Sequence, residues 1–288
     1  MPALVLLVAG AGCAPATGKP TDMAPEETST AIPSAADMLP TDAERSAERP
    51  SAPVAEAPES LDEDITAILD AAGDYRVGVA IADTSGDNAR LFGEESAFFA
   101  ASTAKIITAA AFYHSVEDGE ASLDENLGKE DAGFQIQDMV NNSDNNAWLL
   151  LMQSVGYPEL TDYAESLGVA YDPEENLLTT ADMARVLTML HEGELLNREN
   201  TAQLLGYMQE TNNEELIPAG ASPEVTVHHK YGLIGSDLHD AALLTHGDST
   251  VALVIYTKNT GDGSEADQIQ LIRSLTRAAE DALFAADL

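Results

Sequence analysis

One segment constrains the fold more than any other. From Ala104 the chain runs Lys105-Ile106-Ile107-Thr108-Ala109-Ala110-Ala111-Phe112-Tyr113, apolar on nearly every helical face and rich in alanine. A helix that is hydrophobic all round belongs in the middle of a protein, so the remaining elements must wrap around this one. Ser102 and Lys105 are its notable polar groups, and the pattern puts both in its first turn, where a helix end can open onto a cleft. An isolated lysine on so apolar a helix is costly to desolvate. A chemical role is the better explanation of Lys105.

The segments before and after it have different periods. Leu61, Ile65 and Leu69 recur at helical spacing. Val77, Val79 and Ile81 alternate with Gly78, Ala80 and Ala82, as in a strand with one buried face. A turn cluster over residues 84–88 leads into a returning strand at Arg90-Leu91-Phe92. Residues 119–210 read as helices joined by short loops, one starting after Ser143-Asp144-Asn145-Asn146 and one after the N-cap signal Thr179-Thr180. Strands are expected at 225–231, 241–245 and 251–256, with a tight turn at Gly247-Asp248. The run 251–256 is apolar throughout, as in a strand buried on both faces. Ile269, Ile272, Leu275, Ala279 and Leu283 form the stripe of a closing helix. Strands near both ends with helices between predict an α+β fold. About five strands from both chain ends form one antiparallel sheet, flanked by helices, with a helical subdomain beside it.

Residues 14–60 are of another kind. Eight of the 13 prolines lie there, and no aromatic residue precedes Tyr75. Such a segment buries too little apolar surface to offset its ordering entropy, and reads as a disordered Pro/Ala/Glu-rich tether. Residues 61–288 are then the folded domain, long enough for a full core without disulfides or metals. Cys13 is the single cysteine, so no intrachain disulfide exists. It follows the apolar run 4–9 and the small residues Gly10-Ala11-Gly12, which resembles the end of a bacterial lipoprotein signal. That resemblance implies lipidation at Cys13, an extracytoplasmic protein and attachment to the cell membrane. No basic residue precedes the run, and Gly10 stands where leucine is usual. A tether of about 47 residues would hold the domain on the order of 40 Å from the bilayer.

The formal charge is −37, from 50 acidic and 13 basic side chains. Nucleic acid binding is excluded as a function class, because phosphate contacts need a basic footprint. The acidity reads as a solvated, self-repelling surface. Although lysine is scarce, two of the five lysines fall in short motifs that occur in order. These are Ser102-Thr103-Ala104-Lys105, Ser143-Asp144-Asn145 and Lys230-Tyr231-Gly232.

The set S-x-x-K, S-D-N and K-x-G, with its flanking residues 139–147 and 254–257, resembles the class A β-lactamase and penicillin-binding protein superfamily. The resemblance covers essentially all of residues 61–288. It implies an acyl-enzyme on Ser102, with Lys105 as activating base and Ser143 relaying a proton to the leaving nitrogen. Asn145 would hold the substrate amide, and Lys230 would attract a substrate carboxylate. Oxyanion donors would be the backbone N–H groups of Ser102 and of Leu233, which follows Gly232. The expected partners are a β-lactam or a D-Ala-D-Ala-type peptide, met by a monomer without cofactor.

Two departures bear on this reading. Tyr231 replaces the small hydroxyl residue usual in K-x-G. Asp172 stands where the family's E-x-x-x-N loop carries its deacylating glutamate, in the shortened stretch Asp172-Pro173-Glu174-Glu175-Asn176. That stretch also reads simply as an acidic connecting turn, and this is the expectation adopted. An acyl-enzyme that forms and hydrolyses slowly follows from it. His228, His229, His239 and His246 cluster in the strand region, but without a zinc-binding signature no metal is expected. No G-x-S-x-G elbow occurs.

Overall fold

The computed structural model describes residues 59–84 and 89–284. The expectations for Cys13 and for residues 14–58 lie outside the described residues.

The elements follow in chain order. They are α1 (Glu59–Asp70), β1 (Tyr75–Asp83), β2 (Ala89–Gly93), β3 (Phe98–Phe99), a 3₁₀ turn (Ala101–Ala104) and α2 (Lys105–Glu117). Next come β4 (Asn126–Leu127), β5 (Glu130–Asp131), α3 (Ala132–Asn141), α4 (Asn145–Val155), α5 (Tyr157–Ser166), β6 (Leu177–Leu178), α6 (Thr180–Glu192), α7 (Arg198–Tyr207) and α8 (Ile217–Gly220). The chain closes with β7 (Thr226–Ile234), β8 (Asp237–His246), β9 (Ser249–Asn259) and α9 (Glu265–Phe284). Helix α1 therefore begins at Glu59, two residues inside the stretch read as tether.

A five-stranded antiparallel sheet, in the order β2-β1-β9-β8-β7, combines strands from both ends of the chain. Gly247-Asp248 is the two-residue turn between His246 and Ser249. The pleat divides β9 between two cores. Ala252, Val254 and Tyr256 pack with the helical block, whereas Val251, Leu253 and Ile255 pack with α1 and α9. The expectation of a strand buried on both faces holds for β9. For β1 the expectation of a single buried face needs correction, because the small residues also face a core: Ala80 and Ala82 are buried against the helical block. Their size lets α6 approach the sheet. A Cβ on Gly78 would meet Glu94 O at 2.4 Å, Phe98 at 3.1 Å and Thr180 at 3.3 Å.

Helix α2 lies at the centre of the helical block with its residues Lys105 to Tyr113 buried, as its all-round apolarity requires. The α-helix itself begins only at Lys105. Ala101 to Ala104 form a 3₁₀ turn closed by the Lys105 N–H donating to Ser102 O. The sequence reading, which put Ser102 inside the first α-helical turn, is corrected in that detail. Two small ribbons, β4–β5 and β3–β6, also interrupt what read as an all-helical middle. Helix α6 starts with a capping box: Thr179 Oγ1 accepts from the Asp182 N–H, and the Asp182 carboxylate accepts from the Thr179 N–H.

Replacing Thr179 with alanine is expected to cost about 1 kcal/mol. For a domain of this size that is a fall in melting temperature of about 2–4 °C, measurable by thermal denaturation.

Candidate active site

The three motifs converge where α2, the α3–α4 loop and the edge strand β7 meet. Lys105 is fully buried. Its amine donates to Ser143 O at 2.7 Å, to Ser143 Oγ at 3.2 Å and to Asn145 Oδ1 at 2.8 Å. The Trp148 ring centre lies 5.0 Å away, held by its indole N–H on Thr108 Oγ1 at 2.9 Å. Burial lowers the Lys105 pKa to about 8, with the charge of Asp144 pulling the other way. The neutral amine, the form that can take a proton, is thereby accessible near neutral pH.

Ser143 owes its position to an uncommon backbone. Its φ is 58°, the left-handed region that non-glycine residues seldom occupy. This turns its carbonyl and its hydroxyl toward the same amine. Asp144 caps α4 through the Ala147 N–H at 2.8 Å. The S-D-N motif thus contains both a helix cap and a lysine-binding site, carried by different residues.

Gly232 brings the third motif against the first. A Cβ there would stand 3.0 Å from Ser102 N and 3.1 Å from Ala100 O. Leu233 follows on the free edge of the sheet. The His229 N–H leaves that edge to reach Met208 O at 2.7 Å. Antiparallel hydrogen bonding repeats every second residue, so the N–H groups of Tyr231 and Leu233 face the same way. Two backbone donors, of Ser102 and Leu233, are therefore available beside the Ser102 turn. Lys230 is also fully buried. Burial and the nearby charge of Lys105 lower its pKa to about 7, opposed by Asp240.

Asp172 is not drawn into this group. It is exposed, and its carboxylate accepts from the Glu174 N–H at 2.8 Å within its own turn. Asn176 behaves differently. It is buried at a φ of 53°, donates from Nδ2 to Ala101 O at 3.1 Å, and its own carbonyl accepts from the Ala100 N–H at 2.8 Å. Ala101 itself has a φ of 50°. The loop therefore braces a strained residue next to Ser102, as strain at such sites requires. The acidic-turn expectation describes residues 172–175 but misses this role of Asn176.

Other supports had no sequence signal beyond residue type. Tyr256 OH and Thr103 Oγ1 are 2.7 Å apart. His239, with its pKa lowered to about 4 by burial, is neutral. Its Nδ1 accepts from the Thr257 N–H and its Nε2 donates to Phe99 O at 2.9 Å, just before the Ser102 turn. His229 is buried between Asp240, 2.9 Å from Nδ1, and Glu214, 3.2 Å from Nε2. Burial lowers its pKa, but the charges and hydrogen bonds of Asp240 and Glu214 outweigh that and raise it to about 9. Glu214 belongs to the segment that Asn141 grips, through Nδ2 to Tyr207 O and Gln209 O. The His229 imidazolium thus ties the strand bearing Lys230 to the segment that holds the start of the S-D-N loop. His246 instead stacks on Phe284. Among the described residues no group of three or more His, Cys, Asp or Glu is disposed to hold a metal ion.

A family model described as the beta-lactamase enzyme family matches residues 60–283. Solved structures share the fold. A mutant of PBP-A, determined as its acyl-enzyme complex with penicillin G, superposes with a TM-score of 0.71 at 23% identity over 79% of this chain and 97% of that one. An ancestral class A β-lactamase gives 0.72 at 23%, over 77% and 100%. A β-lactamase from Sphaerobacter thermophilus gives 0.67 at 24%, over 76% and 97%. No curated protein matches the chain.

The His229 contact has a pH signature. Its folded pKa of about 9 lies above the ordinary 6.5. The stabilisation is therefore complete below pH 6.5 and is lost as pH rises through about 9. Urea denaturation between pH 6 and 10 should show wild type more stable than His229→Gln at pH 6, with the gap narrowing toward pH 10.

Proposed function

Since the chain belongs to the beta-lactamase enzyme family, we propose that it is an acyl-serine hydrolase in which Ser102 opens a β-lactam amide and Lys105 is the base. The observation that carries this reading is the buried Lys105 amine, hydrogen-bonded to Ser143 Oγ and Asn145 Oδ1, one turn after a serine whose N–H abuts Gly232. Neutral Lys105 removes the Ser102 proton as Oγ attacks the carbonyl carbon. The oxyanion that forms is held by the Ser102 and Leu233 N–H groups. Ser143 Oγ, in contact with the Lys105 amine, passes the proton to the leaving nitrogen as the C–N bond breaks. Asn145 positions the amide, and Lys230 adds positive charge.

Deacylation is the slow step in this reading. Asp172 is one methylene shorter than glutamate, exposed, and turned onto Glu174 N–H. A misplaced base of this kind costs about a hundredfold in rate. That favours a second reading, a D,D-peptidase or related amidase, or a penicillin-binding sensor that stays acylated. In either case the site works outside the cytoplasm, held to the membrane through lipidated Cys13. No helix among the described residues is long and apolar enough to cross a membrane.

A fluorescent penicillin tests the reading. Ser102 is expected to label covalently, Ser102→Ala to abolish the label, and the label to persist rather than decay within minutes. Rapid decay would make the protein an efficient β-lactamase, and no Ser102-dependent label would remove β-lactam acids as substrates. The labelling rate should climb from pH 6 as Lys105 becomes neutral near pH 8, with the rise blunted as Lys230 loses its charge near pH 7. Gly232→Ala, which pushes β7 off Ser102 N, is expected to slow labelling by about a hundredfold.

A further inference from the structure

Lys230 has no exposed surface. Its amine donates to Tyr231 O at 3.2 Å and lies 4.3 Å from the centre of the Tyr231 ring. That ring is half-buried and packs against the core formed by the sheet, α1 and α9. A cation facing an aromatic ring is already partly satisfied, and an arriving carboxylate would have to displace the ring to meet it.

The surroundings point the same way. Seven large apolar side chains are exposed among the described residues. Four of them bracket the nucleophile turn: Phe99 and Leu177 pair on the β3–β6 ribbon leading into it, and Leu233 and Ile234 continue the strand that touches it. The whole chain carries a formal charge of −37, which repels anionic substrates and leaves neutral ones unaffected.

We infer that Tyr231 closes the anion end of the Ser102 cleft, so that the site selects acyl compounds with an apolar body and no carboxylate on the leaving-group side. This rests on the acyl-serine reading above and narrows its substrate class. The step is the same: Ser102 Oγ bonds to the carbonyl carbon, the bond to nitrogen or sulfur breaks, and the Oγ proton leaves with that atom. β-Lactam acids are then poor substrates, and their neutral esters better ones.

The test uses the full chain and two matched pairs. One is benzylpenicillin and its methyl ester. The other is a thioester of phenylacetylglycine whose leaving group is mercaptoacetate or methyl mercaptoacetate. Second-order acylation of Ser102, followed by mass spectrometry and thiol release, is expected to favour the neutral member of each pair in the wild type. Tyr231→Thr should shift the ratio toward the acids at least tenfold. Tyr231→Phe, which keeps the ring, should leave it as in the wild type. A wild type that prefers the acids tenfold, a ratio unmoved by Tyr231→Thr, or a Tyr231→Phe that behaves like Tyr231→Thr would overturn the inference. Thioester turnover without any reaction of the penicillin pair would count against β-lactams alone, with the thioester ratio deciding the role of Tyr231. Ser102-independent or absent reaction with all four compounds would overturn both.

Discussion

The structure depends on one buried amine. Lys105 sits on a helix that the rest of the chain encloses, and desolvating it is tolerable only because Ser143 O, Ser143 Oγ and Asn145 Oδ1 accept its protons. Those acceptors come from a loop forty residues away, in which Ser143 adopts a left-handed backbone. The loop is fixed in turn by the Asp144 cap and by Asn141 gripping the segment around Gln209. A packing problem at the centre of the helical block therefore dictates the geometry of the surface loop. The burial that those contacts make tolerable is what lowers the lysine pKa to about 8.

A second chain of support reaches Ser102 from the sheet. Neutral His239 holds Phe99 O, Asn176 holds Ala101 O, and Gly232 permits β7 to lie against Ser102 N. Each of these fixes backbone rather than side chain. Ser102 stands at the end of a short ribbon and at the start of a 3₁₀ turn, where few local hydrogen bonds are available. Contacts from distant elements replace them, which is how a strained residue such as Ala101 persists.

Much of this was legible in the sequence, for physical reasons. The all-apolar stretch after Ala104 could only be a central helix, and the unbroken run 251–256 could only be a strand with cores on both sides. The motifs were readable because lysine is scarce and two of five stand in register with Ser102 and Ser143. What stayed hidden involves distance in the chain. Small residues in β1 looked like a solvent face, because alanine and glycine carry no sign that a helix packs on them. Nothing in the local text marks His229 as charged, since its partners Asp240 and Glu214 lie eleven and fifteen residues away. Asn176 looked like part of an acidic turn because its partner, Ala101 O, is a backbone atom that sequence does not display.

Asn176 and Asp172 show how one short loop can treat two neighbouring side chains differently. In one short loop, the residue that faces the protein supports the nucleophile turn, and the residue that faces water is left to its own backbone. The first contact is secure, because Asn176 is anchored at both its side chain and its carbonyl. The carboxylate has no such anchor beyond Glu174 N–H. The demands of folding therefore hold the part of the loop that fixes the backbone beside Ser102. They leave the Asp172 carboxylate to the backbone of its own turn.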